Sequence, residues 1–414
     1  MKRVVITGMG AVTPFGVGAD ALWESVKAGR NGVDVVTRID VSDMPTKVAA
    51  EVRDFNPSDY IDKKDAKRMD RFTQYAFVAA LLAYKQSGLR LEDEDLTRAG
   101  VIMGSGIGGL ETLEEQHKLL LGRGPGRVSP FFIPMMIANM ASGQLAIQYG
   151  FKGFNESVNT ACSSGTNAIG DAFQVIREGR ADIMLAGGSE AAVTPMAFAG
   201  FCAMKAMTTN PDPETAKRPF DAGRNGFVLG EGAGVIMLEE YERAKARGAP
   251  ILGEIAGYGC TDDAFHIVAP AEGGEGAARC MKLALDDAGV EPASIGYINA
   301  HGTSTDYNDK YESSAIRQVF GSHADVLCVS STKSMTGHLL GATGAVEVII
   351  TCCALSEGYL PPTIHYSTPD KDCDLDYIPN TGRVADGIDY AISNTFGFGG
   401  HNATLVMKKI GSDA

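Results

Sequence analysis

The chain has 414 residues, and its 51 Asp and Glu against 37 Lys and Arg give a formal net charge of −14. That balance argues against a general binder of nucleic-acid backbones, which need surplus positive charge. Hydrophobic residues at 44% fill a sizeable core, in two or three domains or one large α/β unit, while 50 glycines beside a single Trp point to tight turns and close backbone approach.

In chain order, short apolar runs bounded by glycine fall at 4–6, 100–103, 181–186, 234–238, 251–255, 296–298, 326–330 and 404–407, and read as buried strands. Helical patterns lie between them. The clearest spans about 70–87, where Phe72, Tyr75, Ala76, Ala79, Ala80 and Ala83 recur at three- and four-residue spacing before Gly88. The alternation predicts an α/β protein with mixed, mainly parallel sheets. No apolar run reaches the roughly 18 residues of a membrane span; 131–141 is broken by Pro134 and Asn139, and 345–355 contains Glu347. With MKRVVITGMG leading straight into a strand, the expectation is a soluble, cytoplasmic protein without a membrane partner. The eight cysteines form no C-x-x-C pair, so neither a disulfide framework nor a metal site is expected.

A weak repeat divides the chain. Residues 157–179 and 330–358 each read strand, small-residue turn, glycine-containing helix and glycine stop, and VLGEGAGVIMLEE finds an echo in GFGGHNATLVMKK. Matched elements in the same order favour duplication into halves of 1–250 and 251–414.

The chemistry concentrates at three turns. Cys162, in NTACSSG between a strand end and a helix start, is expected on a sharp turn with its sulfur exposed and its thiolate favoured by the helix N-terminus. His301 in AHGTST and His338 in KSMTGH also follow strands, where open α/β sheets bind ligands. VVITGMGAVTPFG lacks a G-x-G-x-x-G fingerprint and GSGIGG lacks a Gly-Lys-Ser/Thr ending, so nucleotide binding is a minor alternative and the second loop reads as tightly packed backbone.

Together TACSSGTNAIGDAF, RPFDAGRNGFVLGEGAG, INAHGTSTDYNDK, SSTKSMTGHLLGATGAVE, PPTIHY, CDLDYIPN and SNTFGFGGHNATL resemble the β-ketoacyl-acyl-carrier-protein synthases of the elongating synthase II type. The resemblance implies the thiolase-like duplicated fold, layered α-β-α-β-α, and a homodimer. It implies decarboxylative condensation of malonyl-acyl-carrier protein with an acyl chain held on Cys162, in fatty acid elongation. On it, Cys162, His301, His338 and Lys333 are the candidate catalytic residues, and the backbone N–H groups of Cys162 and Phe398 form an oxyanion hole. Ile107, Phe132, Phe201, Phe396 and Phe398 become acyl pocket and gate, and Thr303 and Thr305 pantetheine contacts. No cofactor is implied, because phosphopantetheine arrives on the acyl-carrier protein.

Ser163, Ser164, Asn167 and the Asp306–Tyr307 pair depart from the common pattern of that family without removing a catalytic group. A polyketide-type ketosynthase, a thiolase and a non-catalytic chain-length partner are the alternatives; Cys162 with both His speaks against the last. An acidic carrier approaching an acidic protein needs a local basic patch, for which Lys63, Lys64, Lys67 and Arg68, with Arg127 and Lys205, are the candidates.

Overall fold

The computed structural model describes residues 1–411. Eleven strands form its main sheet: β1 (Val4–Thr13), the two-residue strand Gly16–Val17, which pairs with β1 alone, β2 (Ala99–Gly104), β3 (Asn155–Val158), β4 (Ile183–Glu190), β5 (Gly232–Glu240), β6 (Gly253–Asp262), β7 (Ile295–Asn299), β8 (Cys328–Ser330), β9 (Tyr390–Gly397) and β10 (His401–Lys408). Read outward from the centre, the first half runs β1-β5-β4-β2-β3 and the second β6-β10-β9-β7-β8, the same order twice. The sense of every matched ladder agrees as well, so the duplication read from a weak repeat is explicit in the topology.

The two sheets of the layered architecture meet edge to edge, because β1 and β6 pair at Val4–Ile255, Val5–Glu254 and Ile6–Gly253. The sheets are mixed, but the expectation that parallel pairing predominates needs correction. Only the ladders of β2 with β3 and β4, and of β7 with β8 and β9, are parallel. The strands nearest the centre return antiparallel. Buried strands of both kinds carry the same apolar runs, which conceals their direction in the sequence.

Helices make the other layers. On one outer face α1 (Arg71–Ser87) is capped by the Asp70 side chain and stopped by Gly88 at φ 63°, and packs on β1 through Phe72, Tyr75, Ala76, Ala79 and Ala83. Gly8 and Gly10 are required there, since a Cβ on either would lie 2.0 Å from a carbonyl of that helix. On the opposite face lie α3 (Glu275–Ala288) and α4 (Asp306–Phe320). Between the sheets run α2 (Ser164–Arg177) and α5 (Thr343–Glu357), each beginning just beyond a turn singled out by its residue types. The segment Leu340–Glu357 has a mean hydropathy of 1.4 over 18 residues, and 83% of it is buried inside the fold. A helix walled by protein on all sides is apolar all round, which accounts for that hydropathy.

Candidate active site

The nucleophile turn is built by close approach. Ala161 adopts φ 50°, unusual for a residue with a Cβ, and a tight turn over Ala161–Ser163 then feeds α2. Ser164 Oγ accepts from the Thr160 N–H and donates to the Ala161 carbonyl, while Ser163 Oγ donates to the His401 carbonyl at 2.7 Å, tying the turn to the other half. Asn167 Oδ1 accepts from Thr160 Oγ1, and its amide donates to Tyr258 Oη at 2.6 Å. Ser163, Ser164 and Asn167, three of the residues that depart from the common pattern, therefore fasten this turn. Gly397 admits it: a Cβ there would stand 2.7 Å from the Thr160 carbonyl.

Cys162 is 6% exposed at the floor of a cavity of about 540 Å3. Its sulfur lies 3.0 Å from His338 Nε2, and the rings of His338 and His301 meet edge to face at 5.4 Å. Donor atoms of Cys162, His301 and His338 all fall within 4.8 Å of one another. The backbone N–H groups of Phe398 and Cys162 both face the sulfur.

Two expectations about Cys162 are corrected by this setting. The sulfur is not open to solvent, and burial pushes the thiol up to about 12 despite the opposing charge of Lys333 and the two N–H groups. The helix terminus was expected to decide, but desolvation of a thiolate outweighs it.

Burial also drives both imidazoles well below the ordinary histidine range, reinforced by the charge of Lys333. They stand neutral at pH 7, each with one N–H to give. His338 Nδ1 meets Thr343 Oγ1 at 3.1 Å. A hydroxyl donates or accepts, so Thr343 suits either tautomer of that ring. His301 Nδ1 is buried without a partner among the described residues.

Buried carboxylates hold these pieces, and sequence reading missed all of them. Glu312 Oε1 and Oε2 accept the His301 and Gly302 N–H groups at 2.8 Å each, and burial raises its carboxyl to about 7. Glu347 accepts from Lys333 Nζ at 2.5 Å, with neither side chain more than 2% exposed. Glu190 accepts from Ser105 Oγ and from the Gly106, Ile107 and Gly341 N–H groups, so it joins GSGIGG to the turn before α5 and bears out the tight packing read there. Lone acidic residues inside Gly-rich or helical stretches carry no local signal of burial.

The cavity wall includes Ile107, Phe201, Phe396, Phe398, Thr303, Thr305 and Lys205. Phe132 does not line this cavity in the single chain: it belongs to the short helix Phe132–Met136, where Phe131 and Ile133 beside it are exposed. His266, unremarkable in sequence, lines the mouth, whereas His401 pairs with Asp262 at 3.6 Å outside the lining. Thr303 and Thr305 share a hydroxyl hydrogen bond of 2.8 Å, and Asp306 and Tyr307 follow them at the start of α4. Lys63, Lys64, Lys67, Arg68, Arg127 and Lys205 are all exposed and form no ion pair among the described residues; Arg68 stacks over the Phe131 ring at 4.7 Å.

Comparison with known proteins agrees with this geometry. Residues 1–244 match the family model of the β-ketoacyl synthase N-terminal domain and residues 252–367 that of the C-terminal domain. The chain is 55% identical over 408 residues to 3-oxoacyl-[acyl-carrier-protein] synthase 2 of Staphylococcus aureus (strain N315), covering 99% of this chain and 98% of that one. It is 51% identical to the protein of the same name in Synechocystis sp., with 99% and 98% covered. Among solved structures, a β-ketoacyl synthase from Burkholderia phymatum aligns at a TM-score of 0.92 and 38% identity, covering 99% of this chain and 100% of that one. A type II polyketide acyl-carrier protein complexed with its ketosynthase bound to the hexaketide aligns at 0.92 and 36%, with the same coverage. With both halves matched and the Cys-His-His cluster at their junction, the chain belongs to the β-ketoacyl synthase family.

Proposed function

We propose that this site performs the decarboxylative condensation of fatty acid elongation, with Cys162 carrying the acyl chain. The observation that carries the reading is the convergence of one thiol and two neutral imidazoles beneath a cavity whose floor also presents two backbone N–H groups.

In the first half-reaction Cys162 Sγ attacks the acyl thioester carbonyl, and its proton passes to His338 Nε2, 3.0 Å away. The tetrahedral oxyanion is held by the Cys162 and Phe398 N–H groups. The carbon–sulfur bond to pantetheine breaks, and the departing thiolate takes the proton back. His338 is neutral again, its Nδ1 facing a hydroxyl that serves either tautomer.

In the second half-reaction the malonyl thioester oxygen accepts N–H groups from His301 and His338. The bond to the carboxylate breaks, CO2 leaves, and its electron pair becomes an enolate. The enolate carbon attacks the acyl carbonyl on Cys162; collapse of the adduct breaks the carbon–sulfur bond to Cys162 and releases the 3-oxoacyl thioester, and the thiolate takes up one proton from solvent water. Fixing both reactants at one sulfur replaces a bimolecular encounter. Burial, reinforced by the charge of Lys333, keeps both imidazoles neutral between steps, and neither half-reaction draws on a resident cofactor or metal.

The substrates arrive on acyl-carrier protein, for which the exposed basic residues around 63–68, Arg127 and Lys205 at the cavity mouth are the docking surface. The chain works as a homodimer: β3 ends the sheet with an unpaired edge, and Ile147, Phe131 and Ile133 beyond it are exposed apolar residues that a second copy would cover. Eight free thiols suit a reducing cytoplasm.

The test is a mass spectrum and a CO2 assay. Cys162→Ala should take up no acyl group, and His301→Ala should still be acylated by acyl-carrier protein but release CO2 from malonyl-carrier protein about 100-fold more slowly. Acylation of Cys162→Ala, or normal CO2 release by His301→Ala, would overturn the assignment.

A further inference from the structure

Behind the cavity wall lies a second fully buried lysine that the mechanism above does not use. Lys217 has no solvent exposure, forms no ion pair among the described residues, and donates from Nζ to the Thr303 carbonyl at 2.7 Å. Burial lowers its amine to about 7, and a methylene chain of that length would fill the same space without burying a polar group.

The contact falls on the carbonyl between two well-held residues, the first of which, Gly302, donates its N–H to Glu312 and accepts from Ser331 Oγ at 2.7 Å. The loop runs through Gly302 at φ 40° and Ser304 at φ 69°, both in the left-handed region. Ser304 is fastened repeatedly: its N–H donates to both Asp309 oxygens, its carbonyl accepts from the Gly226 N–H, and its hydroxyl accepts from the Arg218 N–H. The Thr303 carbonyl has Lys217 as its partner. Thr303 itself lines the cavity, and its hydroxyl meets Thr305 Oγ1 at 2.8 Å.

We propose that Lys217 is a positioning residue for the substrate's amide arm: by holding the Thr303 carbonyl from behind the wall, it fixes the paired hydroxyls of Thr303 and Thr305 toward an incoming pantetheine thioester. This rests on the condensing reading above and deepens it. Lys217 touches neither substrate nor sulfur, so its action passes through one peptide group. In its protonated form it also bears on both imidazoles, in the same direction as Lys333.

The experiment compares two malonyl thioesters, S-malonyl pantetheine, which has amide groups, and S-malonyl ethanethiol, which has none. CO2 release is followed with Cys162 preloaded with a short acyl group, in the wild type and in Lys217→Met. Methionine keeps most of the volume and removes the donor. The ratio of KM for the pantetheine thioester to KM for the ethanethiol ester should rise about tenfold, the scale of one lost buried hydrogen bond. A purely structural lysine would move both values together, so a ratio within twofold of the wild type overturns the proposal. Should the Met variant fail to fold in a thermal melt, Lys217→Leu, which also lacks a donor, is read by the same ratio. A wild type that releases CO2 from neither thioester would instead overturn the condensing reading itself, which separates the two failures.

Discussion

The Lys333–Glu347 pair offers a way to separate what the buried charges do for stability from what they do for chemistry. The two groups sit 2.5 Å apart with 0% and 2% side-chain exposure. At an effective dielectric of about 20 their attraction is roughly 7 kcal/mol before desolvation is subtracted. Removing one partner leaves the other charge buried and uncompensated, so Lys333→Met or Glu347→Leu alone should cost about 3–5 kcal/mol at pH 8. Removing both replaces a buried pair by apolar side chains of similar volume, and the double variant should return to within about 1–2 kcal/mol of the wild type. Its chemistry should not return, because the charge beside His301 and His338 is gone. Urea unfolding followed by circular dichroism gives the stabilities, and CO2 release from malonyl-carrier protein gives the activity. Single variants that each cost less than about 1 kcal/mol would refute the assignment of a costly buried pair. A double variant that loses the sum of the singles would do the same, and one that regains full CO2 release would show that the charge is not needed.

Glu312, raised to about 7 by burial, holds its proton more tightly in the native state than in the unfolded chain, where a glutamate titrates near 4.5. Its contribution to stability is therefore complete below about pH 4.5 and lost as pH rises through 7. Between those limits the stability of Glu312→Leu relative to wild type should shift in the variant's favour by about 3 kcal/mol; a difference that stays flat across the window would contradict the burial argument. Ile107, 37% exposed on the cavity wall, should restrict long acyl chains when enlarged to Phe and leave short ones accepted. Mass spectra after incubation with carrier proteins bearing mixed chain lengths check this, and an unchanged profile would remove Ile107 from the acyl path.

What the sequence disclosed follows from how locally each feature is encoded. The helix at 71–87 announces itself by spacing, an Asp cap and a Gly stop, all within one segment. Cys162, His301 and His338 were found because each sits in a small-residue turn at a strand exit. The strand Asn155–Val158 is polar and half exposed at the sheet edge, so it has no apolar run to betray it. Glu190, Glu312 and Lys217 matter only through contacts with segments far away or buried from behind, which no window of residues displays. The thiol's raised pKa was missed for the same reason: the helix terminus is local, but the protein that buries the sulfur comes from both halves.

The duplication explains why the parts come together at all. Cys162 stands between β3 and α2, and His338 between β8 and α5, which are equivalent positions in the two halves. His301 follows β7 as the Gly106 loop follows β2, and the Phe398 turn follows β9 as Glu190 closes β4. A pseudo-twofold frame thus directs matching strand exits at one cavity, and divergence within it gave the sulfur to one half and the imidazoles to the other. The central helices must approach very closely for this to work. A Cβ on Gly344 would fall 1.8 Å from Thr166 Oγ1, and one on Gly165 would fall 2.8 Å from the Gly341 carbonyl. Glycine at these crossings, as much as the reactive side chains, sets the 3.0 Å between Cys162 and His338.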